Sequence, residues 1–326
     1  MNLKSASLLV ALSSVALVSS ELTAAELACP VIADGETALD CPWAGVSREL
    51  DATLAAGGEL GKTLRETAPE FLAAFDRDSA AHSGAKSYKS LWGTSVNYDE
   101  GAHDIIIKNP VIDFILARAK LPKRRDRVVH AGFEHTYGYL FSNLKTPYGF
   151  KRLRWARPDL EQGFGIAAGT IVPLPKDGGL FSNVTYFAGR IAFRHDPQAL
   201  AIVMKGANVS PALKTYAYAD LKPTRLSETI SLPNGRTVVL RTDFVPFPKG
   251  EFGGNGEALI YSIRDSAQPY PQLISMFPVA KNFRDGALKP GALGDPKPIV
   301  TRYNAFVPGV TDSPAKFTGK REVLDQ

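Results

Sequence analysis

The chain has 326 residues and a hydrophobic fraction of 44%, enough to build a sizeable core in one large domain or two smaller ones. A charged fraction of 22%, with 28 glycines and 23 prolines, favours a turn-rich, strand-rich body over a helical bundle. The formal net charge of +5 and pI of about 9.0 suit anionic partners, but no dense basic face or recognisable module is present, which argues against nucleic acid.

The N-terminus reads as a signal peptide over residues 1–25. Lys4 is a short positive region, Leu8 to Val18 an apolar stretch broken by serines, and Thr23-Ala24-Ala25 a small-residue cleavage site. Cleavage near Ala25 predicts a periplasmic or secreted protein. A lipoprotein variant at Cys29 is disfavoured by Glu26, where an apolar residue is wanted. No later run approaches about 18 apolar residues, so no stable membrane insertion is expected. Cys29 and Cys41 are the only cysteines, and export predicts a disulfide between them. It would tether residues 26–41 and close a loop of about 12 residues, stabilising by roughly 2–3 kcal/mol.

Residues 42–127 read as a helical region. Val46, Leu50 and Leu54 form one stripe, and Leu64, Phe71, Leu72 and Phe75 another. Pro69 either starts a second helix or kinks the first. Leu91 to Tyr98 looks irregular or extended. Asn109-Pro110 is a helix start, with Asn as cap and Pro at the first position, followed by Ile112, Ile115 and Leu116 on one face. Lys120 to Arg127 is a basic connector whose charges suit the negative end of that helix.

From residue 128 to about 310 the pattern shifts to strands. Candidate strands are Ile166–Leu174, Val184–Arg194, Ala199–Lys205, Leu226–Leu232, Thr237–Phe244, Ala258–Arg264, Gln272–Ala280 and Pro298–Val307. Asn234-Gly235 takes the positive φ of a tight hairpin turn. Gly286–Lys297 reads as a long loop, and residues 311–326 as a polar tail that frays. The expected class is α+β, a helical N-terminal portion packed on a larger antiparallel β-rich body, as a sandwich or an open barrel.

Chemistry concentrates between Val128 and Trp155. His130, Glu134 and His135 lie among Tyr137, Tyr139 and Tyr148, with Arg152, Arg154 and Trp155 downstream. The neighbouring glycines and aromatics argue for a strand, which would send Glu134 and His135 to opposite faces. That spacing builds no metal site without a third ligand from His103, Asp104, His195 or Asp196. Acid–base chemistry needs less. His135 is the candidate base, Tyr137 a hydroxyl donor, Glu134 the orienting group and His130 a second base. Arg152, Arg154, Trp155 and Tyr139 are the candidate substrate-binding residues, with Arg154 as anion clamp.

Other signals are weaker. Ser142 and Ser182, each in Phe-Ser-Asn within an internal echo (Gly138–Asn143 and Gly179–Asn183), are not in a hydrolase elbow. The glycine cluster Gly250–Gly256 lacks a following helix, so it is a hairpin loop rather than a nucleotide motif. Asn183-Val184-Thr185 and Asn208-Val209-Ser210 match the short glycosylation string. No string matches a family motif specifically enough to name one. The reading is an exported enzyme, a hydrolase or lyase, that uses acid–base chemistry on an anionic small molecule or acidic glycan without a cofactor. The alternative is a non-catalytic ligand-binding or structural protein of the cell envelope.

Overall fold

Proline placement sets the starts of the first helices. In the structure, a computed structural model that describes residues 41–146, 149–232, 234–289, 303–310 and 320–325, α1 runs Pro42–Ala55, α2 Leu60–Thr67 and α3 Pro69–Ala80. Pro42 and Pro69 occupy first-turn positions, where the missing N–H costs nothing. Pro69 therefore starts a new helix. After a 3-10 turn at Tyr88–Leu91 come β1 (Thr94–Val96), the extended piece expected there, and α4 (Asn109–Arg118). The cap of α4 is Lys108, one residue earlier than expected, which puts Asn109 inside the helix. Cys41 is buried at the head of α1, while Cys29 and the signal segment lie outside the described residues.

The next elements are β2 (Val128–His130), α5 (Ala131–Thr136), a 3-10 turn at Gly138–Phe141, β3 (Lys145–Thr146), β4 (Gly149–Phe150), α6 (Leu153–Ala156) and α7 (Asp159–Phe164). Then follow α8 (Leu180–Ala192), α9 (Pro197–Met204) and α10 (Pro211–Lys214). The strands β5 (Thr224–Ser231), β6 (Thr237–Pro246), β7 (Glu257–Asp265) and β8 (Gln272–Val279) lead to α11 (Lys281–Leu288), β9 (Ala305–Phe306) and β10 (Lys320–Asp325).

The main sheet is antiparallel with order β10-β5-β6-β7-β8. It is open, not a closed barrel, since β8 and β10 sit at opposite edges. The β5–β6 hairpin forms as expected, and Gly235 at its turn has φ 78°. A smaller antiparallel sheet orders β2-β1-β9. The α+β class holds, with the N-terminal helices joined to the sheet through a ring cluster. Phe71 meets Phe141 at 5.1 Å, Phe75 meets Tyr137 at 4.9 Å, and Phe133 meets Phe181 at 4.4 Å. Phe133 and Phe181 belong to α5 and α8, and both helices rest on β8.

Several strand expectations are corrected. Val184–Arg194 lies mostly in α8, and every residue of that helix except Arg190 is buried. Its aromatic and β-branched residues favour strand by propensity, which tertiary packing overrides here. Ala199–Lys205 falls in α9 and its C-cap, Lys205; Asp196 caps the N–H of Ala199 at 2.9 Å and Pro197 opens the first turn. Residues 166–174 form turns, and of 298–307 only Ala305–Phe306 is strand, with 298–302 outside the described residues. The expected loop from Gly286 begins inside α11, and its positions 290–297 are likewise outside. In the tail expected to fray, β10 pairs with β5 along its length.

Candidate acid–base site

Residues 131–136 form a helical turn rather than a strand, which changes the direction of each side chain they carry. On a helix consecutive residues point about 100° apart instead of to opposite faces. Glu134 and His135 therefore share one buried space, their side chains 0% and 1% exposed, with His135 Nε2 3.4 Å from Glu134 Oε2. His130 starts this helix by accepting the Phe133 N–H at its Nδ1, 3.4 Å away. Gly132 is required because a Cβ there would stand 2.7 Å from both Phe181 and Trp92 side chains.

The hydrogen bonds fix the His135 tautomer. Nδ1 lies 2.6 Å from the Ile274 carbonyl on edge strand β8. A carbonyl only accepts, so Nδ1 carries the proton and donates. Burial, aided by the nearby Arg154 charge, holds His135 well below its ordinary range, so the ring is neutral with a lone pair on Nε2. Glu134 accepts the Ser95 hydroxyl at Oε2. Burial pushes its carboxyl up to about 7, opposed by that hydrogen bond and by Lys151 and Arg154. Glu134 Oε1 and His135 Nε2 have no hydrogen-bond partner among the described residues.

Two cations frame the pair. Half-buried Arg154, on α6, donates to Ser275 Oγ at 3.2 Å and to the Tyr139 hydroxyl. Its guanidinium lies 4.5 Å from the Phe277 ring centroid and 4.8 Å from that of Tyr139. Lys151 pairs with Asp99 at 3.0 Å and is held below its ordinary range by burial and by Arg154. The Tyr139 ring lies 4.7 Å from the His135 ring, and its hydroxyl accepts from Asn304 at 3.3 Å. Tyr303 and Asn304, beside Phe277 and Tyr139, both have positive φ, 55° and 62°.

The structure thus gathers Glu134, His135, Tyr139 and Arg154 from the expected set. Trp155 supports them by donating its indole N–H to the His135 carbonyl. The remaining members lie elsewhere. His130 uses both ring nitrogens locally, since Nε2 donates to the Lys89 carbonyl at 2.9 Å, and burial lowers it to about 4. Tyr137 donates to Asp78 Oδ2 at 2.5 Å inside the ring cluster. Arg152 holds the Ser142 carbonyl at 2.8 Å and Asn143 Oδ1 at 3.0 Å.

Ser95, Lys151 and Asp99 are additions that no local motif announces. A second polar centre was also hidden. Asp78, fully buried on α3, accepts the Phe181 N–H at 2.8 Å, the Ser182 hydroxyl, the Tyr137 hydroxyl and the Asn208 amide at 3.1 Å. It caps α8 from another helix, and His82 Nε2 lies 2.7 Å from Ser182 Oγ behind it. The echo around Ser142 and Ser182 has no structural counterpart, because one copy ends a 3-10 turn and the other begins α8. Asn183 and Asn208 of the glycosylation strings spend their side-chain N–H groups on Thr170, Asp177 and Asp78.

Among the described residues no three His, Cys, Asp or Glu side chains are grouped as metal ligands, and no helix is long and apolar enough to cross a membrane. No family model matches the chain, and no curated protein or solved structure matches it either.

Proposed function

We propose that this chain is an exported enzyme, a hydrolase or lyase, that moves a proton on an anionic small molecule or acidic glycan. The observation that carries the reading is an unpartnered imidazole Nε2 standing 3.4 Å from a carboxyl whose other oxygen, Oε1, is also unpartnered, beside two cations and in a space closed to water. Buried titratable groups with displaced proton affinities and no internal partner are costly, and such arrangements cluster at functional sites. In the mechanism His135 Nε2 takes the substrate proton, with Nδ1 anchored on Ile274. Glu134, close to half-protonated near neutrality, stabilises the resulting imidazolium or returns the proton. Arg154 and Lys151 hold the substrate anion, and the Tyr139 hydroxyl is the donor to a leaving oxygen. Entry requires the site to open. We assign that motion to Tyr303–Asn304, where two consecutive left-handed residues strain the backbone over the site.

Export by the segment 1–25, and a Cys29–Cys41 disulfide in the oxidising compartment, belong to the same reading and rest on the N-terminal sequence. The near-complete burial of Glu134 and His135 favours a second reading, a non-catalytic ligand-binding or structural envelope protein. The deciding experiment is a screen of the mature chain and its His135→Ala variant on acidic polysaccharides, phosphate esters and carboxylate esters. Elimination is followed by ultraviolet absorbance of the new double bond, and hydrolysis by released acid. Turnover that disappears in a folded variant supports the enzyme. Binding without turnover, or equal turnover by the variant, overturns it.

A further inference from the structure

A cleft of about 340 Å³ lies where the β6–β7 connection meets α11 and shares no residue with the Glu134–His135 site. Pro246 and Gly250 form part of its wall, and its charged lining is Glu251, Glu257, Lys281 and Arg284. Glu257, the first residue of β7, is 3% exposed. Its Oε1 accepts from Arg284 Nη1 at 2.6 Å, while its Oε2 is buried with no hydrogen-bond partner among the described residues. Arg284 spends Nη1 on Glu257 and turns its Nε and Nη2 to Asp285, at 3.1 and 2.9 Å. Glu251 and Lys281 are exposed on the rim and make no ion pair among the described residues.

The charges therefore cancel in sum yet are unmet in place. An acceptor at Glu257 Oε2 and a carboxylate at Glu251 await a donor cation, and the Lys281 ammonium awaits an anion. A simple amine would satisfy the first and be repelled by Lys281 and Arg284. A simple carboxylate would satisfy the second and be repelled by Glu251 and Glu257. We propose that this cleft binds a small zwitterion of the α-amino acid class, its ammonium on Glu257 Oε2 and Glu251 and its carboxylate on Lys281. The volume suits a short side chain lying against Pro246. The proposal stands independently of the acid–base reading.

The test is titration calorimetry of the mature chain at neutral pH with glycine, alanine, serine and leucine, and with ethylamine and acetate as the two halves of the ligand. At least one amino acid is expected to bind, with both halves weaker by about tenfold or more, the loss of one charge-assisted hydrogen bond. Glu251→Gln and Lys281→Gln sit on the rim where folding is insensitive to them, and each is expected to weaken binding about fivefold or more. Glu257→Gln is expected to weaken it further, with circular dichroism checking its fold. Absence of binding by all four amino acids at about 10 mM, halves as tight as the whole, or undiminished affinity in both rim variants would each overturn the proposal.

Discussion

His135 Nε2 and Glu134 Oε2 stand 3.4 Å apart although they belong to consecutive residues of one six-residue helix. Three anchors hold them there. Ile274 fixes the imidazole, Ser95 the carboxyl, and Trp155 the backbone carbonyl of His135. With Nδ1 committed to donation, burial holds His135 neutral and pushes the Glu134 carboxyl up to about 7, which disfavours a salt bridge between them.

That protonation state has a measurable consequence in Glu134→Gln. The folded-state value of Glu134 is raised from 4.5 to about 7, so the folded form holds its proton more tightly than the unfolded chain. The stability it contributes is complete below pH 4.5 and is lost as pH rises through about 7. Glutamine is neutral throughout. The variant is expected to gain stability relative to wild type between pH 5 and pH 8, by up to about 3 kcal/mol. Urea unfolding at both pH values checks this, and an unchanged difference would mean that Glu134 is ionised in the folded protein.

The histidines act with the opposite sign. Burial lowers both His82 and His130 from 6.5 to about 4 in the folded protein. Their contribution is complete above pH 6.5 and is lost as pH falls towards 4. His130→Asn keeps an acceptor for the Phe133 N–H but cannot titrate. Its unfolding free energy between pH 5 and 6 is expected to be less steep than that of wild type by up to about 1.4 kcal/mol per pH unit. Tryptophan-monitored urea titrations at three pH values in that window give the two slopes.

Asp78→Ala strips the acceptor from two hydroxyls, one amide and the N-terminus of α8 at once. Each donor is left buried, and the expected loss is about 3–5 kcal/mol. Asp78→Asn keeps the volume and one acceptor oxygen and is expected to lose less. Equal losses in the two variants would mean that shape rather than hydrogen bonding dominates there.

Gly179 is fixed by the same carboxyl, for a Cβ at that position would lie 2.1 Å from Asp78 Cγ. Gly179→Ala is expected to cost about 2 kcal/mol or more, since either α3 or the start of α8 must shift. Gly84→Ala is the control. Nothing lies within 4 Å of its added methyl, so its effect is expected to be within about 0.5 kcal/mol of zero or slightly stabilising. Paired thermal melts distinguish them.

Local chemistry was enough to determine α1 to α4 and the strands β5 to β8. Asn109-Pro110 marks a helix start, Val46, Leu50 and Leu54 repeat at helical spacing, and Asn234-Gly235 permits a turn that few other pairs allow. The cap of α9, Asp196 followed by Pro197, emerges only in the structure. In α8 the decisive cap is Asp78, 103 positions away from the Phe181 N–H it accepts, and the strand propensity of its aromatic and β-branched residues is overridden by packing on every side. The site divides the same way. The stretch 128–155 was legible as the richest in proton-transfer groups, because that depends on residue type alone. Which tyrosine meets His135 was not, since Tyr137 and Tyr139 share a strand face but diverge on a helix–turn backbone. Ser95 reaches Glu134 across 39 positions, and Ile274 reaches His135 across 139. Contacts of that span follow from how β1, β8 and α5 pack against one another, a property of the assembled core rather than of any segment within it.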